Sequence, residues 1–455
     1  MPATHPSCAP YWAGADPPAR PRPASTRTRR VHVTSQTRRV PLEDHVADAV
    51  ALLGAVRGTE VIALAGRAVG RVAASPLRAL VDVPGVDNSQ MDGFAVASTD
   101  LADLGAESVL DLPLGPTIAA GDAPSALAGG TARPIMTGAP LPDGADLVIP
   151  VEESADGRFP GPGAAAVRLA PGAVTPGRFV RRRGSDTRRG DSILREGRVL
   201  TPPRIAHLAA CGLREAEVLA RPRTLVLSTG SEVLPAATGA TAEPAPGTLF
   251  DANGPGLAAA LAEAGAEVVH TAAVPDDAAA LHAHLQQMVR AEDAELVVTS
   301  GGVSRGAFEV VRQAAELPGV ELSFPSLALQ PGGPQGIGTL TVDGRRVPWL
   351  AFPGNPVSAL LSCELLARPA LGAPPRRRLR LPLRLEGEES SPEHLDQYRR
   401  AHVLPSGAVR LAGGASSHLI GGYAAADALV LVPRGTAVLR DGDLLETLLL
   451  PGGDA

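Results

Sequence analysis

The feature that most restricts the fold lies between about Arg223 and Leu371, where short apolar runs alternate with segments of helical period. Thr224 to Leu227, Glu267 to Val274 and Glu295 to Thr299 read as strands, and Leu257 to Ala264 and Ala279 to Arg290 as helices. In the second helix Leu281, Leu285, Met288 and Val289 fall on one face, as a helix covering a sheet requires. The alternation continues through Phe308 to Ala315, Glu321 to Leu329, Thr339 to Val342, Trp349 to Phe352 and Val357 to Leu366. Strands of unbroken apolar character are buried on both faces, so an open, mostly parallel sheet between helices is expected.

Three of these strands run into glycine-bearing loops: Ser228-Thr229-Gly230-Ser231-Glu232, Ser300-Gly301-Gly302-Val303-Ser304 and Pro353-Gly354-Asn355-Pro356. Ligands of open α/β sheets sit beyond the carboxyl ends of the strands, so the loops predict one shared crevice. Glycine admits close backbone approach there, and exposed N–H groups favour a phosphate or another anion. Glu232, Asp251, Asp276, Asp277 and Glu309 stand nearby, and carboxylates beside phosphate oxygens are the usual holders of Mg²⁺. Of these, Asp276 and Asp277 follow Pro275 and open a helix, so at least one reads as a cap; Asn253 before Pro255 reads first as a cap too.

Outside this region the pattern changes. A helix is expected from Leu42 after Pro41, and short β units from Pro84 to about Asp186, among many glycines and prolines. After Pro374 to Arg380, short strands return at Leu379 to Leu385, Ala401 to Leu404, Ala428 to Val432 and Asp443 to Leu449, in a small β barrel or sandwich. The resulting division is a disordered tail (1–40), a discontinuous helical/linker domain (41–77 and 188–221), a small β-rich domain (78–187), the α/β domain (222–372) and a C-terminal β domain (373–455). The first forty residues contain one acid, Asp16, and lack the apolar core of a secretory signal. Apolar residues at 44% and charged ones at 20% argue against wholesale disorder, and no run is long enough to span a bilayer.

Chemistry is narrowed further by what is missing. A net charge of −6 gives no electrostatic reason to bind nucleic acid or an anionic membrane. All basic residues are arginine, which excludes Schiff-base and P-loop lysine chemistry. Cys8, Cys211 and Cys363 are far apart, so no disulfide framework or zinc knuckle is expected, and a reducing cytoplasm fits. Neither a GxSxG nor an HExxH occurs.

Eight segments in order carry a resemblance: DNSQMDGFA (87–95), IMTGAPLPDGAD (135–146), RRRGSDTRRGD (181–191), LSTGSEVL (227–234), LFDAN (249–253), VTSGGVSRG (298–306), PGGPQGIG (331–338) and FPGNPVSALL (352–361). Over roughly residues 42 to 450 the chain resembles the molybdopterin molybdotransferases, the family that includes the gephyrin E domain. The resemblance implies a homodimer with a β-rich N-terminal region, an α/β molybdopterin-binding domain and a C-terminal β barrel. It implies a Mg²⁺-dependent reaction of adenylated molybdopterin with molybdate that yields molybdenum cofactor and AMP. The substrates are small molecules, and contact with the molybdopterin adenylyltransferase is expected.

Carried over by motif, Asp92, Thr137, Asp186 and Glu232 take catalytic positions, and Glu232, Asp276 and Glu309 metal positions. Thr229, Gly230, Gly301, Gly302, Ser304, Pro353, Gly354 and Asn355 take the molybdopterin and phosphate positions. Ser304, Arg400 and Ser417 take those for molybdate, and Arg305 and Pro334 are molybdate candidates beside them. The chain departs from the family where Gln330-Pro331-Gly332-Gly333-Pro334 replaces a KPGKP-like segment, Ser304-Arg305-Gly306-Ala307 an SVGD turn, and Thr229-Gly230-Ser231-Glu232 a TGDE. Arg305 stands near the lost cations and can offer an oxyanion paired hydrogen bonds, so it is read as joining Arg400 and Ser417 in anion holding. The substitutions leave open a second reading: a molybdopterin-binding scaffold that no longer inserts metal.

Overall fold

The computed structural model describes residues 39–102, 109–172, 174–235, 243–304, 306 and 309–451. Its centre is a six-stranded sheet made of β1 (Arg223–Thr229), β2 (Glu267–Val274), β3 (Leu296–Ser300), β4 (Val320–Ser323), β5 (Gly336–Val342) and β6 (Arg345–Phe352), in the order β2-β1-β3-β6-β5-β4. β2, β1, β3 and β6 are parallel. The sheet is not parallel throughout, because β5 and β6 form a hairpin and β4 pairs antiparallel with β5. The hairpin turns at Asp343 and Gly344, both at positive φ (51° and 81°), as the Asp-Gly pair of a tight hairpin demands.

Apolar packing covers both faces of the sheet. On one, Val226, Val298, Leu350 and Phe352 meet Leu257 and Leu261 of α1 (Asn253–Glu263), Ala359 and Leu366 of the helix that follows β6, and Ala49 and Leu53 of the helix Leu42–Gly54. On the other, Leu225, Leu227, Val297 and Trp349 meet Leu281, Leu285 and Val289 of α2 (Ala278–Ala291). Each fully buried Leu or Phe contributes roughly 1.5 to 3 kcal/mol. Trp349 is buried too, and its indole N–H donates to Thr299 Oγ1 at 3.0 Å, so its polar atom is satisfied.

The segment read as one strand from Glu321 to Leu329 is divided by Phe324-Pro325: β4 ends at Ser323, and Leu329–Gln330 crosses to pair with Asp396–Val403. Asp396–Val403, Val409–Leu411, Arg378–Arg384, Leu444–Leu449 and Ala428–Val432 close into a barrel, the last strand pairing back onto the first. Asp396–Val403 begins five residues before its sequence-based start at Ala401. Gln397, Arg399 and Arg400 are buried within it and break the apolar alternation that marks a strand.

Toward the N-terminus, Gly93–Val96 is flanked by Arg133–Ile135 and Leu147–Pro150 over a core of Phe94, Leu147 and Ile149. Residues from 59–78 and 192–218 share another core. There Thr59–Ala63 pairs antiparallel with Glu215–Leu219, a β element that the helical/linker expectation omits. No helix among the described residues is long and apolar enough to cross a membrane.

Candidate functional site

β1, β3 and β6 are neighbours in the sheet, so their carboxyl ends deliver the three glycine loops to one place. Gly301 shows how closely they meet. It sits at φ +95°, and a Cβ there would lie 2.5 Å from Thr229 Oγ1, so only glycine fits without displacement. Its N–H donates to Phe352 O at 3.0 Å, and a Cβ on Gly354 would stand 3.4 Å from Gly301 Cα. Asn253 Nδ2 donates to Gly354 O at 2.6 Å, tying α1 to the third loop.

The crevice these loops enclose has a volume of about 500 Å³. Thr229, Gly230, Gly301, Gly302, Ser304, Pro353, Gly354 and Asn355 all line it, as do Glu232, Asp276 and Glu309. Asp251 makes the fourth lining carboxylate, and no described lining residue is basic. Arg305 lies outside the described residues.

These four acids are not equivalent. Asp251 Oδ1 accepts from Ser228 Oγ (2.8 Å), Asn253 N (3.0 Å) and Gly254 N (2.9 Å). Asp251, rather than Asn253, therefore satisfies the start of α1. Asp277 caps α2 by accepting from Ala280 N at 2.9 Å, which leaves Asp276 for other work. Asp276 Oδ2 accepts from Ser231 N at 3.1 Å, and Ser231 Oγ accepts from Asp276 N at 3.2 Å. An aspartate in place of Ser231 would set two carboxylates together, so the departure from TGDE removes a like-charge contact.

Glu309 takes Ser304 N on Oε2 (2.7 Å) and Gly306 N on Oε1 (3.0 Å), and so braces the loop after β3. The Glu232 carboxylate has no hydrogen-bond partner among the described residues, and a Cβ on Gly230 would fall 2.8 to 2.9 Å from its two oxygens. Among the described residues no group of three or more metal-ligating side chains gathers at one point.

A second cavity, of about 340 Å³, adjoins the crevice and shares Pro334, Pro353 and Asn355 with it. Ser416 and Ser417 line its far side from a barrel loop, and no lining residue carries a charge. Asn355 Nδ2 donates to Ser417 Oγ at 2.9 Å across the boundary.

Arg400, read as an oxyanion ligand, does not line either of these cavities. The residue is 4% exposed, and its guanidinium donates to the carbonyls of Ser416 (3.0 Å), Leu419 (3.1 Å) and Gly414. Burial, and then the neighbouring Arg399, push its pKa below the usual arginine value. Arg400 is therefore placed to shape the loop that carries Ser416 and Ser417. Gln330, at the start of the segment without lysine, accepts from Gln397 Nε2 at 2.8 Å in a neutral amide pair.

Asp92 and Thr137 meet each other away from the crevice. Asp92 Oδ1 accepts from Thr137 N (2.7 Å) and Thr137 Oγ1 (2.8 Å), and these bonds hold the carboxyl below its ordinary pKa. Asp186 lies in the turn beneath Val83, its N–H donating to Val83 O at 3.1 Å. Within one chain none of the three lines the crevice. Sequence reading missed the tie from Asn253 to Gly354 and the part of Ser416; the LFDAN motif held the first signal, whereas the second depends on barrel closure.

A family described as the MoeA N-terminal region (domains I and II) matches residues 40–212, and a probable molybdopterin binding domain matches residues 225–373. Molybdopterin molybdenumtransferase 2 of Mycobacterium tuberculosis is 39% identical over 391 residues, covering 84% of this chain and 92% of that relative. The molybdopterin molybdenumtransferase of Synechococcus elongatus is 34% identical over 380 residues, covering 83% and 91%. Among solved structures, a molybdopterin biosynthesis MoeA protein from Pyrococcus horikoshii matches with a TM-score of 0.72 at 27% identity, covering 91% of this chain and 100% of that one.

Proposed function

The chain belongs to the family of molybdopterin molybdenumtransferases, and from that premise we propose that it transfers molybdenum from molybdate to adenylated molybdopterin, with Mg²⁺ and with release of AMP. The observation that carries this reading is a crevice of strand-end loops, lined by four carboxylates and no described cation, beside an uncharged cavity of amide and hydroxyl groups. A pyrophosphate cannot rest among carboxylates without a neutralising ion. Mg²⁺ is held by one or two carboxylates, with waters and substrate phosphate oxygens completing its shell, so a site with no preformed three-ligand cluster suits it. When bound, the ion would offset charge on the departing phosphate.

Glu232, whose carboxylate has no partner among the described residues, and Asp276, with Oδ1 outside the Ser231 contact, are the carboxylates available to hold that ion. Glu309 and Asp251 are committed to backbone N–H groups and keep the loops in shape. Backbone at Gly301 and Gly302 lets phosphate approach closely. Ser417 and Asn355 offer hydrogen bonds to a tetrahedral oxyanion in the adjoining cavity, with Pro334 at the boundary of the two spaces and Ser304 in the wall of the crevice.

The working unit is a homodimer, in which the partner subunit's Asp92 faces the crevice. Two observations support it: the Asp92–Thr137 pair stands off the crevice of its own chain, and Leu80, Val81 and Val86, close by in sequence, are 55%, 46% and 43% exposed. The reaction takes place in the cytoplasm, where the molybdopterin adenylyltransferase hands over its product.

The test supplies purified protein with adenylated molybdopterin, Mg²⁺ and molybdate. AMP and molybdenum cofactor should appear in equal amounts. Bound pterin without AMP release would instead make the chain a molybdopterin-binding scaffold.

A further inference from the structure

Away from both cavities, two histidines point at each other across the edge of the α/β region. His270 lies on β2, the edge strand of the sheet, and His284 on α2, which packs against it. Their Nε2 atoms are 3.2 Å apart, and the ring centroids 5.3 Å, with the planes tilted by 43°. Both side chains are half-buried, so neither must be wholly stripped of water to bind something. Backbone fixes both: β2 through its ladder to β1, α2 through Leu281, Leu285 and Val289 in the core. His282, two residues before His284, is engaged elsewhere, with Pro318 O at 3.0 Å and Gln286 at 3.3 Å.

From this geometry we propose that His270 and His284 form a two-imidazole site for a divalent transition metal of the zinc, nickel or copper class, clipping β2 to α2. With metal–nitrogen bonds of about 2.0 to 2.1 Å, nitrogens 3.2 Å apart subtend roughly 100° at the ion, close to tetrahedral. Neutral imidazole is the ligand form. No third His, Cys, Asp or Glu of the described residues joins the pair, so water completes the shell. Imidazole favours zinc, nickel and copper over magnesium, which keeps this site chemically distinct from the crevice.

The clip has a structural consequence. Asp276 sits in the short turn between β2 and α2, and a metal bridging the two elements restrains that turn. Metal at the pair therefore stabilises the fold locally, independently of whether the crevice inserts molybdenum.

Tag-free full-length protein, dialysed against chelator, is titrated with ZnCl₂ in the presence of excess MgCl₂. One zinc should bind per chain in the micromolar range and raise the melting midpoint. His270→Gln and His284→Gln should each weaken binding about tenfold or more, as loss of one of two imidazoles implies, whereas His282→Gln should leave it unchanged. Equal zinc binding by parent and the double variant, or none by either, would overturn the proposal and leave the two rings as a hydrogen-bonded pair. Should a variant fail to fold, ring-proton resonances of His270 and His284 in the parent decide: shifts on adding zinc support the site, and unmoved resonances reject it.

Discussion

The two adjoining cavities are built by different means. The crevice is made by the backbone of three parallel strands and carries four carboxylates and no described basic residue. Its neighbour is made by a barrel loop against Pro334, Pro353 and Asn355, has no charged lining, and is held in shape from behind by a buried arginine. The contrast teaches how one protein can receive two anions. A carboxylate-lined space suits an anion only together with a cation that offsets the local negative charge, whereas neutral donors suit an anion directly where no carboxylate repels it.

The hardest test of this contrast is Glu232→Gln, which removes charge while keeping volume. Turnover at limiting Mg²⁺ is expected to fall by about 100-fold or more, since one ligand carboxylate is lost, with the melting curve unchanged. A parent-like magnesium dependence would remove Glu232 from the cation side of the comparison. Next, Arg400→Ala leaves three carbonyls of the barrel loop without their donor. These carbonyls belong to exposed loop residues and can turn to water, so a loss of about 1 to 3 kcal/mol in total is expected in denaturant unfolding, together with a raised molybdate requirement. Unchanged stability would show that the second cavity does not depend on its arginine.

Smaller effects sharpen the boundary. Ser417→Ala deletes one neutral hydrogen-bonding group, about 1 kcal/mol, so the molybdate concentration giving half-maximal rate should rise roughly fivefold while pterin binding stays the same. If pterin binding weakens as much, the two cavities are not separate subsites. The least disturbance is expected from Thr137→Val, which removes one of two bonds that hold Asp92 ionised. Because that pKa is depressed in the fold, the stabilising interaction is present above the ordinary aspartate value and disappears as pH falls through the depressed one. The variant's Asp92 resonance should titrate at higher pH than the parent's, with little change at neutrality.

Sequence reading reached the crevice because its parts are local: an apolar strand, then a glycine turn, three times over. Thr229, Gly301 and Gly354 could be named together since strand ends in an open sheet gather at one edge. The same reasoning failed at Asp396–Val403, where buried Gln397, Arg399 and Arg400 hide a strand behind polar letters. The family resemblance gave Arg400 to the anion, and the guanidinium is taken up by carbonyls that only barrel closure brings near. Asn253 looked like a cap, and Asp251 proved to be one, because two backbone N–H groups choose between neighbours by geometry.

What the sequence alone determined is whatever depends on spacing: the βα alternation, the loops at strand ends, the number and sign of charges, and the family. Tertiary structure decided which groups remain available once those elements meet. Five acids stood near the loops in sequence; packing commits Asp277 and Asp251 to caps and Glu309 to its loop, ties one oxygen of Asp276 to Ser231, and leaves Glu232 unpartnered among the described residues. The physical reason is that a carboxylate lying beside an otherwise unpaired N–H is taken by it, and which N–H groups lie within reach is settled by the fold rather than by residue order.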